Sequence, residues 1–208
     1  MKPHPFQFVA LLSFLFLCGT VQGNIIHFST TLSGLNEIPS TGSTGTGTGD
    51  VYYDSVLHTL QVDLTWSGLM GTTTASHIHA PSTAAQISSA LPFNGSWGVA
   101  TQPGTFTGFP TGTTSGSYVG AAYSLLDATN YTAGYLGANG GTPAMAESAL
   151  LAYMLSGEAY MNIHTTFAPG GEIKGYLRQV PDSSSILGLL TLALGSLLVF
   201  ARFQKAST

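Results

Sequence analysis

Apolar and polar residues alternate with a period of two over several stretches of this chain, and each such stretch predicts a half-buried β-strand. The clearest lies between Val56 and Trp66, where Val56, Leu60, Val62, Leu64 and Trp66 fall on one parity and Thr59, Gln61, Asp63 and Thr65 on the other. Ile26, Phe28, Thr30 and Leu32 share a parity further upstream, and so do Val51 and Tyr53. The Ser/Thr/Gly stretch Ser40 to Gly49 between them predicts a flexible turn or an irregular edge. Near the end, Ala159, Met161, Ile163 and Thr165 alternate with Tyr160, Asn162 and His164. The turn residues Ala168-Pro169-Gly170-Gly171 then precede Ile173, Gly175 and Leu177, which predicts a hairpin.

One segment breaks the two-residue rhythm. Thr142-Pro143 is a helix start, Ala144 to Leu155 is rich in Ala, Leu, Met and Glu, and Gly157 is a stop. Gly, Thr and Pro crowd the stretch Gly95 to Ser117, which predicts long loops. Together these elements predict a mainly β fold, an antiparallel β-sandwich or barrel with one short helix packed on it.

The two ends follow different rules. Lys2, the apolar stretch Phe6 to Leu17 and the small or polar residues up to Gly23 have the layout of a secretory signal peptide, with cleavage expected after Gly23. At the far end an apolar run from Ile186 to Ala201 is followed by Arg202 and Lys205. At ~1.5 Å per residue such a run covers about 24 Å, enough to cross a thinned bilayer, and the basic end favours a cytoplasmic C-terminus. The stretch Val180-Pro181-Asp182-Ser183-Ser184-Ser185 before it resembles the V-P-D-S variant of the PEP-CTERM sorting signals. That resemblance implies an exosortase-type processing enzyme as a partner; a plain membrane anchor is the alternative. The expected organisation is a signal peptide over 1–23, a β domain over 24–179 and a sorting or anchor segment over 180–208, with its apolar helix at 186–201. The protein is then exported, periplasmic or at the cell surface, and held at least transiently in the membrane.

Charge narrows the partners. Between Asn24 and Pro181 the cations are Lys174 and Arg178, against eight acids from Glu37 to Glu172. Binding to a phosphate backbone needs clustered Lys and Arg, so nucleic acid is excluded as a partner. The single cysteine, Cys18, lies in the N-terminal apolar run, so the domain has no disulfide and no thiol chemistry.

Histidine is the remaining candidate chemistry. In Ser76-His77-Ile78-His79 the two imidazoles share one face of an extended segment, their Cα atoms about 7 Å apart, close enough to share one metal ion. His164 stands opposite Ile163 in the same way; if the strands are neighbours, His77, His79 and His164 form a three-nitrogen site suited to Cu or Zn. Ligation needs neutral imidazole, so affinity is expected to fall as pH drops through the ordinary histidine range. The competing reading is a polar seam in which the rings bond to backbone and carboxylates and bind nothing. Glu158 and Glu172 flank His164 as outer acceptors or as surface charges, His58 is expected to be partly buried and satisfied, and His27 has no stronger case.

Three blocks carry a family resemblance: Leu32-Ser33-Gly34-Leu35-Asn36-Glu37-Ile38-Pro39, Ser76-His77-Ile78-His79, and Tyr160 to Thr165 followed by Pro169-Gly170-Gly171-Glu172-Ile173-Lys174-Gly175-Tyr176-Leu177. With them the chain resembles the CHRD (chordin-type) domains over about Ile25 to Arg178. The resemblance implies a β-rich extracellular module, non-enzymatic and serving binding or a surface matrix, and leaves the ligand open. The Thr-rich stretch after Pro39 and the Gly-rich middle depart from the pattern. The His-x-His strand is also similar to that of the copper-zinc superoxide dismutases, whose bridging histidine and zinc ligands have no counterpart here. A metal-binding protein or metal-dependent oxidoreductase using the three histidines is therefore the second expectation.

Overall fold

The computed structural model describes residues 25–87 and 96–181. The expected signal peptide and the apolar run 186–201 lie outside the described residues. Among the described residues no helix is long and apolar enough to cross a membrane.

Among the described residues ten strands run in chain order: β1 Ile25–Ser33, β2 Thr46–Asp54, β3 Thr59–Ser67, β4 Thr73–Ala80, β5 Gly98–Thr101, β6 Gly116–Val119, β7 Tyr123–Ser124, β8 Tyr160–Thr165, β9 Ile173–Tyr176 and β10 Arg178–Gln179. Three helices, α1 Ala84–Ile87, α2 Ala133–Ala138 and α3 Pro143–Ser156, interrupt them. The strands form one antiparallel sheet in the order β5-β4-β8-β9-β1-β2-β3-β6, with β10 added on β1 and β7 on β3. The expected choice of sandwich or barrel resolves into a curled half-barrel, a single sheet bent around its own core.

Alternation explains which face is inside. Phe28, Leu32, Val51, Leu60, Val62, Leu64, Ile78, Met161, Ile163 and Ile173 are all buried on the core side, as the sequence periodicity requires. Helix α3 covers part of this core with Ala146, Leu150 and Met154. Its ends are those expected: Thr142 caps the first turn by accepting from Met145 N, Pro143 follows, and Gly157 ends the helix at φ 75°, a conformation that costs glycine little. Glu147 points inward and accepts from Tyr53 Oη at 2.7 Å and His58 Nδ1 at 2.9 Å, which ties the helix to the β2–β3 hairpin.

Two expectations are corrected. The Ser40–Gly49 stretch is not an edge: its second half belongs to β2, which lies between β1 and β3 and pairs with both along its whole length. The period of two is present there, but glycine occupies the inward positions. A methyl group on Gly47 would sit 2.6 Å from Thr65 O, and one on Gly49 2.8 Å from Met161 Sδ. Neighbouring side chains fill the room that an apolar residue would take. Val56, expected to begin a strand, is instead exposed in the hairpin turn, where Asp54 Oδ1 accepts from Val56 N and Leu57 N. From Ser96 to Ser115 the loop-rich expectation holds, except that β5 forms within it and pairs with β4, and β6 takes up Gly116 and Ser117; Gly95 lies outside the described residues.

Candidate metal centre

The antiparallel pairing of β4 with β8 sets His77 opposite Asn162, His79 opposite Tyr160 and Ala75 opposite His164. Directly opposed residues point to the same face, so His77, His79, Asn162, Tyr160 and His164 all project away from the Ile78/Ile163 core. The condition posed by the sequence, that the two strands be neighbours, is met.

The three rings meet. Their centroids are 5.7 Å apart for His77–His79, 5.0 Å for His77–His164 and 5.8 Å for His79–His164. One ring nitrogen from each lies within 4.8 Å of the others. An ion bound at ~2.0–2.1 Å from every nitrogen is reached if each ring moves inward by at most about 0.7 Å.

Hydrogen bonds decide which nitrogen faces the centre. His77 Nε2 donates to Gly104 O at 3.0 Å, His79 Nδ1 to Trp97 O at 2.8 Å and His164 Nδ1 to Pro169 O at 2.9 Å. A carbonyl only accepts, so each of these nitrogens carries the ring's proton. The opposite nitrogens, His77 Nδ1, His79 Nε2 and His164 Nε2, are buried and have no hydrogen-bond partner. A metal-bound imidazole is held in this way by a backbone acceptor on its far side, which fixes tautomer and orientation.

Each acceptor comes from a loop that covers the sheet. Gly104 takes φ 89° to turn its loop back over β4, and Pro169 sits in the β8–β9 turn. Trp97 is held at its backbone by Tyr160 Oη and at its indole by Glu158 O. Tyr160 in turn stacks on His79 at 4.8 Å.

The electrostatics keep the rings neutral. Burial lowers His77 to about 4, with His164 adding to the effect, and lowers His79 to about 3. Burial also lowers His164. The expected fall in affinity through the ordinary histidine range is therefore displaced to more acidic pH.

The flanking carboxylates do not serve these rings. Glu172 is fully buried in the bend before β9, where it accepts from Ser43 Oγ (2.5 Å), Met70 N (2.6 Å), Gly71 N (3.1 Å) and Thr165 Oγ1 (2.6 Å). Burial opposes its charge, but these four donors outweigh that and hold its carboxyl below the usual range. Glu172 is thus the clasp of three loops. Glu158 is bonded to Ser156 Oγ instead. His27 pairs with Asp50 at 2.7 Å and stacks on Tyr52, and His58, in the hairpin turn, is satisfied by Glu147.

Beside the histidines lies a cluster that the sequence pattern did not single out. Lys174, on β9 opposite Asn162, is 1% exposed. Its Nζ is 3.7 Å from Glu37 Oε2 and lies over the rings of Tyr160 (4.6 Å) and Tyr176 (5.7 Å). Burial pushes Glu37 up and Lys174 down, and each partner's charge opposes the other's shift. A lone cation inside an alternating strand is the signal that could have found this cluster, since a buried lysine requires a partner.

Comparison with known proteins yields one result: the CHRD domain family matches residues 28–177. No curated protein and no solved structure matches.

Proposed function

Because the chain belongs to the CHRD domain family, whose members are typically extracellular or secreted modules, we propose that it is an exported, non-enzymatic binding module built around one zinc or copper ion held by His77, His79 and His164. The observation that carries this is the set of three buried imidazole lone pairs facing one another, each with its ring's far side tied to a carbonyl. An uncharged polar seam would leave those nitrogens unsatisfied at about 1–3 kcal/mol each, a cost that an electron-pair acceptor in their midst removes. Three neutral imidazoles suit copper and zinc, both of which take imidazole nitrogen as a ligand.

The segment 1–23 delivers the domain across the membrane and the apolar run 186–201 holds it there, with an exosortase-type enzyme as the processing partner. Val180 N donates to His27 O at 2.9 Å, so the chain is fastened to the sheet up to the point where the tail begins.

The test is the metal content of the full-length protein after reconstitution with zinc and with copper. The wild type retains one ion per chain and His77→Ala/His79→Ala retains none. Equal metal in both overturns the assignment. Removing residues 186–208 moves the domain to the soluble fraction; unchanged partition removes the anchor.

A further inference from the structure

Asn162 is 1% exposed, and its Oδ1 is buried without a hydrogen-bond partner, as are the three histidine nitrogens. It stands opposite His77 on the neighbouring strand and midway between Tyr160 and His164 on its own, so its side chain shares their face. Glu37 fixes which way the amide points. The Nδ2 end lies beside the Glu37 carboxylate: a methyl group on Gly171 would lie 2.5 Å from Glu37 Oε1 and 2.6 Å from Asn162 Nδ2. Both groups crowd into the space that this glycine leaves open. With Nδ2 on the Glu37 side, the oxygen takes the other side of the amide, on the face shared with His77, His79 and His164.

His79, however, has its proton on the other side, given to Trp97 O. A nitrogen lone pair and an amide oxygen are thus both buried on one face with no donor for either, an arrangement that a shared cation turns from unfavourable to favourable. Resting on the three-histidine reading, we propose that Asn162 Oδ1 is the fourth ligand of the ion, held in place by Glu37 and its partner, the buried Lys174, and that the centre is a closed N3O site.

Two consequences follow. A site with four protein ligands has no position for a water or substrate, which makes it a structural centre joining β4, β8 and the covering loops, in keeping with a non-enzymatic module. A hard amide oxygen also favours divalent ions over copper(I), which prefers soft donors.

The experiment compares full-length wild type with Asn162→Ala. In the variant, zinc still binds at one ion per chain but about 10–100-fold more weakly, whereas copper(I) affinity changes less than about threefold. Equal loss for both ions, or for neither, overturns the proposal, because a merely structural role would not separate them. A crystal structure of the zinc-loaded wild type keeps the question open to test should the variant fail to fold. Oδ1 within about 2.0–2.2 Å of the zinc supports the proposal, and a water as fourth ligand refutes it. A wild type that takes up no ion defeats the three-histidine reading itself, a separate outcome.

Discussion

Lowering the pH of the metal-free protein from 7 to 5 is expected to weaken its fold through His77 and His79. Both rings titrate near 6.5 when unfolded, but burial brings them to about 4 and about 3 in the folded domain. Their folded values are depressed and they are bases, so the unfolded chain takes up protons first. The stability they permit is complete above pH 6.5, falls as pH drops below it, and levels off only below their folded values. At pH 5 an unfolded imidazole is almost wholly charged and these two are almost wholly neutral, which costs on the order of 2 kcal/mol for each ring. Two rings together take about 3–4 kcal/mol from a domain whose whole stability is about 5–15 kcal/mol. Urea unfolding at pH 7, 6 and 5 measures this as a shift of the midpoint to lower urea. The variant His77→Gln/His79→Gln loses the slope in that window. A midpoint that does not move between pH 7 and 5 in the wild type, or that moves equally in the variant, refutes the claim that these rings are buried and neutral.

Metal affinity has the opposite behaviour. Because proton competition at His77 and His79 begins only near pH 4, chelator competition is expected to show far less than the roughly thousandfold loss between pH 7 and 5 that two ordinary imidazoles would give. Glu172→Gln removes the charge from a group with four donors aimed at it and is expected to cost about 2–4 kcal/mol at pH 7. Glu172 is depressed in the folded state, so its contribution is full above 4.5 and lost below it. Chemical unfolding at pH 7 and pH 3 distinguishes the two substituted states, with the difference between variant and wild type shrinking at the lower pH. Gly47→Ala puts a methyl 2.6 Å from the backbone oxygen of Thr65 and is expected to destabilise by about 1–3 kcal/mol; thermal unfolding that matches the wild type would contradict the close packing of β2.

Much of this was legible from residues alone. Thr142, Pro143 and Gly157 mark α3 because capping chemistry is local, and the parity of Met161 and Ile163 marks β8 because one face must be dry. His77 and His79 could be placed on one face by the same parity, and His164 could be placed conditionally. What the sequence hid depended on long-range contact. The inward glycines of β2 erase the apolar half of its alternation, and only the packing of Met161, Leu64 and Ile173 over them shows why. Glu172 follows His164 closely, yet it lies in the bend before β9, where its carboxylate reaches Ser43 and Met70. Asn162 and Glu37 come together through the pairing of β8 with β9 and the return of the Gly34–Asn36 turn onto Lys174, which no spacing rule anticipates.

Everything proposed for this domain turns on three imidazoles binding one ion inside it. X-ray absorption at the metal edge of the reconstituted full-length protein tests it directly, since bound imidazole has its own scattering pattern. Three imidazole nitrogens at about 2.0–2.1 Å are expected for zinc. A shell of oxygen ligands alone, or an imidazole signature that survives in His77→Ala/His79→Ala, would contradict it.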